Sequence, residues 1–303
     1  MHIKIGTRSS TLAQSQAQAV ADALRREGHT AELVLFHTRG DQVLDRALHE
    51  IGQKGLFTAE LEKALLDESV DLAVHSLKDL PTELPPQLAI GAYALPEDPR
   101  DALISHGAGL DNLGPGSRIG TSSLRRAAFI RSLRPDISLV PIRGNLETRR
   151  EKWGQGQVDA LVLAAAGIKR LGWEALITEY LDPTRVVPSP GQGILAVEAA
   201  VHRRDLAAVL AALNHDGAAV RAAAERGALA ELGGGCQVPM GAYAFQSQGG
   251  SWRLVAQVAS VDGRECIRHE AEFEAQGAVQ TGHAAGRYLR DHGALSMLDV
   301  QEG

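Results

Sequence analysis

The chain is poor in cysteine and in aromatic residues, and both shortages exclude classes of protein. Only two of its 303 residues are cysteines, Cys236 and Cys266, and they form neither a disulfide framework nor a zinc-binding spacing. Aromatic residues make up 4% of the chain. That share is too small for the stacking platforms of proteins that bind single-stranded nucleic acid. The net charge of −6 also disfavours general affinity for nucleic acid.

Long apolar runs and targeting signals are also missing. No apolar run approaches the roughly 18 residues that a membrane-spanning helix needs. Residues 1–5 alternate as a strand does and do not resemble a signal peptide. The histidines lack the spacing of metal ligands. We therefore expect a cytoplasmic protein with no metal and no nucleic-acid or membrane partner. Because nothing indicates a large apolar interface, we expect a monomer.

The positive charge that is present is mostly arginine, and much of it lies in one segment. Of the 31 basic residues 25 are arginine, which suits the bidentate recognition of carboxylate or phosphate better than lysine does. Residues 118–150 contain eight arginines and only two acids, a local charge of +8 − 2 = +6. Guanidinium groups at this density repel one another unless an anion or solvent relieves them.

The alternation of apolar and polar segments predicts an α/β protein of three parts. Strand, helix and strand follow one another near the N-terminus, and the same order recurs from about residue 118 to residue 164. We expect a first α/β lobe from residues 1–96 and 194–215, a second from 100–189, and a C-terminal α+β domain over 216–303. Two lobes joined by two crossing segments would leave a cleft for a ligand. Residues 38–55 are predicted to form a mobile loop.

Three turns share one pattern: a strand end, polar residues with an arginine, and the start of a helix. They cover residues 7–10, 121–126 and 143–149. Each offers hydroxyl or amide donors, free helix N–H groups and a guanidinium, so each could hold a carboxylate or a phosphate. A single such turn is more simply explained as a solvated arginine-rich surface, but three on successive units favour anion binding.

Two short segments carry candidate catalytic groups. Lys78 and Asp79 follow a predicted strand that ends at His75 and Ser76, so they lie just past the carboxyl edge of a sheet, where ligands of α/β proteins bind. A carboxylate there can accept or return a proton, although an ordinary surface pair explains the spacing equally well. His75 alone is more often a core histidine than a base.

Cys236 follows three glycines, which expose a thiol and let another molecule approach the backbone. It could be a nucleophile or an attachment point for a covalent group, or it could be an incidental thiol in a glycine-rich loop. Cys266, in an alternating strand, is predicted to be a core residue.

Together these motifs resemble the hydroxymethylbilane synthase family, also called porphobilinogen deaminase, over essentially the whole chain and in the same order. The matching segments are Arg8-x-Ser10-x-Leu12-Ala13, Lys54-Gly55-Leu56-Phe57, residues 74–81, residues 120–126, Arg143-Gly144-Asn145-x-x-Thr148-Arg149 and residues 234–239. Each segment is modest support, whereas the ordered set is specific. Two positions differ from the usual pattern: Ala59 stands where many members have lysine, and Leu77 where methionine is frequent.

The resemblance implies a fold and an activity. The fold would be two periplasmic-binding-protein-like α/β lobes plus a C-terminal α+β domain that carries the cofactor cysteine. The activity would be that of a transferase in haem biosynthesis. Four porphobilinogen molecules would be polymerised, with loss of ammonia each time, onto a covalent dipyrromethane primer. Hydrolysis would then release the linear tetrapyrrole hydroxymethylbilane.

The resemblance also implies roles for individual residues. Cys236 would carry the dipyrromethane cofactor through a thioether, and Asp79 would be the central acid and base that also stabilises cationic intermediates. The acetate and propionate arms of cofactor and substrate would be held by Arg8, Ser10, Lys78, Ser122, Ser123, Arg125, Arg126, Arg143, Arg149 and Arg170. Supporting roles would fall to Lys54, Phe57, His75 and Gln192.

Two other classes of function remain open from the residues alone. A two-lobed solute-binding or ligand-sensing protein for a small polyanion fits the lobes, but the missing signal peptide and the exposed thiol count against it. A module that binds RNA or phosphate through residues 118–150 is weakened by the few aromatic residues and the net charge of −6.

Overall fold

The computed structural model describes residues 1–38, 58–233 and 238–297, and the chain divides into two compact units. The first unit is Met1–Glu97 with Gly193–Ala219, and the second is Asp98–Gln192 with Val220–Gly303. The second unit contains both the second lobe and the C-terminal part. The division of the chain into three domains therefore stays a prediction. In the described parts of the chain, no helix has both the length and the apolar character needed to cross a membrane.

The first unit is built on a five-stranded mixed sheet. Numbered in chain order, its elements are β1 (His2–Arg8), α1 (Thr11–Arg26), β2 (Thr30–Phe36), α2 (Ala59–Leu66), β3 (Leu72–Ser76), β4 (Leu88–Ala94), β10 (Leu195–Ala200) and α6 (Ala207–Leu213). The strand order is β2-β1-β3-β10-β4. β1 is parallel to β2 and β3, whereas β10 is antiparallel to β3 and β4.

Both faces of this sheet are covered, which explains its apolar central strands. On one face, α1 packs Val20 and Leu24 against Ile5 of β1 and Val74 of β3. On the other face, α2 contributes Leu61 to a second apolar cluster. Each fully buried aliphatic side chain of this kind stabilises the fold by about 1.5–3 kcal/mol relative to its exposed state. The sheet edges are therefore held rigidly enough to position the residues that follow each strand.

The second unit contains a sheet of the same layout. Its elements are β5 (Asp101–Ser105), β6 (Arg118–Gly120), α3 (Leu124–Leu133), β7 (Ser138–Val140), α4 (Leu146–Gly154), β8 (Ala160–Ala164), α5 (Ala165–Arg170) and β9 (Glu179–Tyr180). The strand order is β7-β6-β8-β5-β9. β6 is parallel to β7 and β8, and β5 is antiparallel to β8 and β9. In each of the two sheets, four strands therefore run in one direction and one strand, β10 or β5, runs in the opposite direction.

The C-terminal part is a three-stranded antiparallel sheet with two helices. They are α7 (Asp216–Ala230), which begins in the first unit and continues into the second, β11 (Met240–Gln246), β12 (Trp252–Ala259), β13 (Cys266–Phe273) and α8 (Ala278–Asp291). Val255 and Ala259 of β12 belong to the same apolar cluster as Phe129 and Ile130 of α3. This shared core groups the C-terminal part with the second lobe. The predicted fold class, two α/β lobes followed by an α+β part, is confirmed.

One prediction about the core is wrong. Cys266 is exposed at the start of β13. Among the described strands β13 has only β12 beside it, and Phe273, its last residue, is the one residue of the strand that is buried. An alternating pattern therefore predicted a strand correctly and the burial of its first residue incorrectly.

Candidate active site

In the first unit, two of the predicted anion-binding residues lie where β1 gives way to α1. Arg8 is the last residue of β1, and Ser10 is the N-cap of α1. The Ser10 hydroxyl accepts a hydrogen bond from the Ala13 N–H at 3.4 Å. A capped helix N-terminus with a guanidinium beside it offers partial and full positive charge to an anion.

Lys78 and Asp79 lie at the same edge of the sheet, because β3 runs parallel to β1 and ends immediately before them. They belong to a short 3-10 turn, Leu77–Asp79. Leu77 is fully buried, and its N–H donates to the carbonyl of Ile194 at 3.0 Å. Asp79 is exposed, and no hydrogen bond or ion pair between described residues involves its carboxylate. A buried apolar anchor thus presents an acid whose oxygens are open to substrate or solvent.

His75 lies beneath this turn and does not face solvent. It is 6% exposed, and its Nε2 is 3.1 Å from Oε2 of Glu198, which is fully buried on β10. The contact lacks the alignment of a hydrogen bond, and among described residues neither Glu198 oxygen makes one. His75 therefore occupies a buried polar pair below the candidate acid, a place where it can support the turn but cannot reach a ligand directly.

In the second unit, two helix N-termini meet at the carboxyl edge of β6 and β7. Ser123 caps α3 and accepts from the Arg126 N–H at 3.4 Å, while Asn145 caps α4 and accepts from the Thr148 N–H at 2.9 Å. Ser122 Oγ donates to the carbonyl of Ile142 at 2.6 Å and so joins the two turns. The pattern predicted these two turns separately, and the structure places them side by side.

Arg125 and Arg126 lie in the first turn of α3, but their guanidinium groups are buried. They are 5% and 6% exposed. Arg125 donates to Oδ2 of Asp101 at 2.7 Å and to the carbonyl of Val187 at 2.6 Å. Arg126 donates twice to Oδ1 of Asp101, at 3.0 and 2.8 Å, and to the carbonyl of Val162 at 3.3 Å. Part of their charge is therefore balanced within the protein.

The charge of this cluster does not balance completely. Asp101 is the one acidic partner of the two guanidinium groups among described residues, so the formal sum is +2 − 1 = +1. Burial acts to raise the pKa of Asp101, but the two guanidinium groups outweigh it and hold that pKa below its usual range. Burial lowers the pKa of Arg125, against the opposing effect of Asp101. An excess positive charge in a buried place is costly, and an anionic ligand would offset that cost.

Gln192 extends the same cluster. Its side-chain amide donates to Oδ1 of Asp101 at 2.9 Å and to the carbonyl of Pro99 at 2.7 Å. Its Oε1 accepts from Arg126 at 3.4 Å. Gln192 therefore holds the Asp101 carboxylate in place, and Asp101 in turn orients Arg125 and Arg126. This contact is consistent with the predicted supporting role.

The remaining predicted arginines of the second unit differ in their surroundings. Arg143 precedes α4 and is half-buried, and no hydrogen bond or ion pair between described residues involves its guanidinium. Arg149 donates to the carbonyl of Gly144 at 2.9 Å, which fastens it to the turn. Arg170 ends α5, the helix that follows β8 at the same sheet edge. Arg143 is the clearest candidate for direct contact with an anion.

Some predictions fall outside the described residues. These are the predicted mobile loop over residues 38–55, apart from Thr38, and the side chains of Lys54, Phe57 and Cys236. The sequence patterns also missed two groups: Asp101, the carboxylate that pairs the two arginines, and Glu198, the partner of His75. The sequence feature that could have pointed to them is an acidic residue in an otherwise apolar strand, at its start for Asp101 and in its interior for Glu198. In the described residues, no cluster of three or more His, Cys, Asp or Glu side chains could hold a metal ion.

Comparison with known families decides the assignment. The family described as porphobilinogen deaminase, dipyromethane cofactor binding domain, matches residues 3–208. The family described as porphobilinogen deaminase, C-terminal domain, matches residues 219–291. The chain belongs to the porphobilinogen deaminase family. Members of this family are transferases of tetrapyrrole biosynthesis, and residues 3–208 are the domain that binds the dipyrromethane cofactor.

Full-length relatives carry the same family name. The porphobilinogen deaminase of Syntrophomonas wolfei is 45% identical over 300 residues, which cover 98% of each chain. That of Roseiflexus castenholzii is 45% identical over 299 residues, covering 98% of each chain. Among solved structures, the periplasmic VFT2 domain of BvgS from Bordetella pertussis is 15% identical, with a TM-score of 0.41 over 70% of this chain and 86% of that one. So distant a likeness carries no argument. Membership of the porphobilinogen deaminase family disfavours the alternative of a solute-binding protein.

Proposed function

We propose that the protein polymerises four porphobilinogen molecules onto a dipyrromethane primer and releases one ammonia for each. Hydrolysis then releases the finished linear tetrapyrrole. The observation that carries this proposal is the edge of the second sheet. Two capped helix N-termini lie there with Arg143 and with the cluster of Arg125, Arg126 and Asp101, whose net charge is +1. Every pyrrole of the chain bears two carboxylates, so a growing chain needs several such donors at once.

The donor set of this edge fits the cofactor. Arg125, Arg126, Arg143 and Arg149 would hold its carboxylates, with the hydroxyls of Ser122 and Ser123 beside them. When bound, the dipyrromethane supplies the pyrrole terminus from which the chain grows. Fixed donors of this kind need little reorganisation, because each arginine that contacts protein is already held by a carboxylate or a carbonyl.

Asp79 is the proposed acid and base. Its exposed carboxylate can stabilise the cation that forms when the amino group of porphobilinogen's aminomethyl side chain leaves as ammonia and its methylene carbon stays on the pyrrole. The same oxygens can accept the proton lost when the new carbon–carbon bond is complete. The buried Leu77 supports the proposal, because it fixes the turn that carries the acid.

Arg8, Ser10 and Lys78 are proposed to hold carboxylates of the incoming substrate at the edge of the first sheet. Two of the three belong to the β1–α1 turn, where the capped N-terminus of α1 adds favourable partial charge. Arg170, at the end of α5, is proposed to take a further carboxylate. Cys236 is proposed to hold the cofactor through a thioether, on the strength of its sequence motif.

We also propose that the protein is a cytoplasmic monomer without nucleic-acid or membrane partners. The net charge of −6 and the 4% aromatic content support this proposal. Sedimentation equilibrium at several concentrations tests the oligomeric state, and a dimer would contradict it.

The activity is tested by incubating the purified protein with porphobilinogen. We expect four molecules of ammonia for each linear tetrapyrrole released, and an adduct of two pyrrole units on Cys236 by intact mass spectrometry. Cys236→Ala is the matched control, which should fold but carry no adduct. Turnover by the control, or an active wild-type protein with an unmodified thiol, would contradict the proposal.

A further inference from the structure

Glu225 is a fully buried carboxylate with no place in the reaction described above. It lies on α7 and is 0% exposed. One of its oxygens, Oε2, accepts from the Gly191 N–H at 2.7 Å. The other, Oε1, accepts from the Ala244 N–H at 3.0 Å and from Nε of Arg221 at 3.3 Å. Burial raises the pKa of this carboxyl, against the opposing effects of Arg221 and the backbone donors. The three hydrogen bonds offset part of the cost of burying this carboxylate, and removing it would leave buried backbone donors without an acceptor.

The three contacts of Glu225 tie together the elements on either side of Cys236 in the chain. α7 ends at Ala230, before the cysteine, and β11 begins at Met240, after it. Ala244 belongs to β11, and among the described strands only β12 lies beside it, so its outward N–H groups have no partner strand there. The Glu225 carboxylate supplies one of the missing acceptors and so fixes β11 against α7.

The same strand rests directly on the segment that binds the arginine pair. The Ala242 N–H donates to the carbonyl of Pro188 at 2.9 Å. A Cβ added at Gly241 would lie 2.5 Å from the carbonyl oxygen of Val187, so only glycine allows this approach. The Val187 carbonyl is also the acceptor for Arg125 at 2.6 Å. One peptide group therefore touches both the strand after the cysteine and a predicted carboxylate-binding arginine.

Arg221 completes the connection. Besides its bond to Glu225, its Nη2 donates to the carbonyl of Gln192 at 3.2 Å. The Gln192 side chain continues to Asp101, the shared partner of Arg125 and Arg126. A continuous set of buried and partly buried hydrogen bonds thus runs from α7 to the arginine pair inside the second unit.

We propose that Glu225 is a positioning residue that holds α7 and β11, the elements before and after Cys236 in the chain, in register with the arginine pair. It would touch neither substrate nor cofactor and would act through β11 and the 187–192 segment. This inference rests on the proposed function, since it assumes that Cys236 carries the cofactor.

The test compares Glu225→Gln with Leu289→Ala. The first keeps the shape of the side chain but replaces one acceptor oxygen with a donor, which then faces a backbone N–H. The second removes a fully buried side chain from α8 in the C-terminal core and leaves the polar contacts intact. Both variants are measured for melting temperature, adduct on Cys236 by intact mass spectrometry, kcat and KM per loaded molecule, and amide exchange at Gly191 and Ala244.

We expect Glu225→Gln to exchange the Gly191 and Ala244 amides faster and to lose about 10- to 100-fold in kcat per loaded molecule, because misplacement of about 1 Å has such an effect. Its KM should change little. Leu289→Ala should melt at a lower temperature with normal kcat per loaded, folded molecule. Normal kcat in Glu225→Gln despite faster amide exchange would overturn the proposal, as would equal losses of kcat in both variants.

A second variant, Glu225→Asp, and the adduct on wild-type Cys236 make the outcome of the test unambiguous. If Glu225→Gln does not fold, Glu225→Asp retains the charge but is one methylene too short to reach both backbone amides, and we expect it to fold with reduced kcat. Normal kcat there would also overturn the proposal. A wild-type protein without an adduct on Cys236 would instead refute the proposed function, so the two failures are distinguishable.

Discussion

Arg126 and Asp101 form a two-pronged pair, in which Nε and Nη2 of the guanidinium both donate to one carboxylate oxygen, at 3.0 and 2.8 Å. The other oxygen of the same carboxylate accepts from Arg125 at 2.7 Å. Geometry of this kind fixes the planes of both guanidinium groups before any ligand arrives. One buried aspartate therefore determines where two neighbouring cations of the candidate site point.

The first prediction concerns the stability of this cluster. Asp101→Asn would leave two buried guanidinium groups without their acidic partner, and breaking a buried pair of this type costs about 3–5 kcal/mol. Denaturant unfolding should show that loss. Asp159→Asn, which removes the partner of Arg118 at an exposed pair, is the matched control and should change the free energy of unfolding far less. Similar losses in both variants would contradict the role given to burial.

The second prediction is the pH dependence that follows from Asp101. Its pKa is lower in the folded protein than in the unfolded chain, so the unfolded chain binds the proton more tightly. The stabilising effect of the pair is therefore complete above the unfolded pKa of about 3.9 and is lost as the pH falls towards the folded pKa. The free energy of unfolding, measured from pH 6 down to pH 3, should fall more steeply in the wild type than in Asp101→Asn. Parallel curves would show that the pKa of Asp101 is the same in the folded and the unfolded protein.

Much of the fold could be predicted from local patterns. The strand, helix and strand predicted near the N-terminus correspond to β1, α1 and β2, and the recurrence predicted from about residue 118 to residue 164 corresponds to β6, α3, β7, α4 and β8. Elements with weak patterns have no predicted counterpart: β9, β10, α5 and α6. β10, for example, is buried along its whole length between two antiparallel neighbours. It shows no alternation, and its alanine-rich sequence has low strand propensity.

The candidate site was predictable to a different degree. Helix caps are recognised from the few residues around them, so Ser10, Ser123 and Asn145 could be predicted from the sequence. Pairings across the fold were not. Asp101 meets Arg126 from 25 positions away, and Glu198 meets His75 from another strand. No local rule links such residues, because strand order alone brings them together.

The third prediction concerns Arg143. Arg143→Gln should lower kcat/KM for porphobilinogen about 10- to 100-fold, since a hydrogen bond to a charged group contributes about 1.5–3 kcal/mol. The melting temperature should stay the same, because no ion pair between described residues involves its guanidinium. Arg118→Gln is the control within the same basic segment, and it should leave kcat/KM unchanged. Equal effects at the two positions would indicate general electrostatic attraction instead of a specific contact.

The fourth prediction concerns Asp79. Asp79→Asn should fold and melt like the wild type, because no hydrogen bond or ion pair between described residues involves this exposed carboxylate. Its kcat should fall by about 10²- to 10⁴-fold. Glu83→Gln removes the same charge four positions along the chain, also at an exposed site, and should have normal kcat. Steady-state kinetics of both variants checks the prediction. Near-normal turnover in Asp79→Asn would assign the proton transfer to another group.

The fifth prediction concerns the turn that carries Arg143. Gly144 has φ of +112°, and a Cβ there would lie 2.7 Å from Cβ of Thr148. Gly144→Ala should therefore destabilise the protein by more than about 1 kcal/mol and raise the KM for porphobilinogen, because the turn must shift and move Arg143 with it. Gly154→Ala is the matched control at the other end of α4.

At Gly154 a Cβ would meet nothing within 4 Å, and alanine favours a helix over glycine by roughly 0.5–1 kcal/mol. The control should raise the melting temperature slightly and leave KM unchanged. Thermal unfolding and steady-state kinetics of the two variants separate the effects of backbone strain and of side-chain placement. If Gly144→Ala lost stability but kept the wild-type KM, the strained turn would serve the fold alone, and Arg143 would not depend on it to reach the substrate.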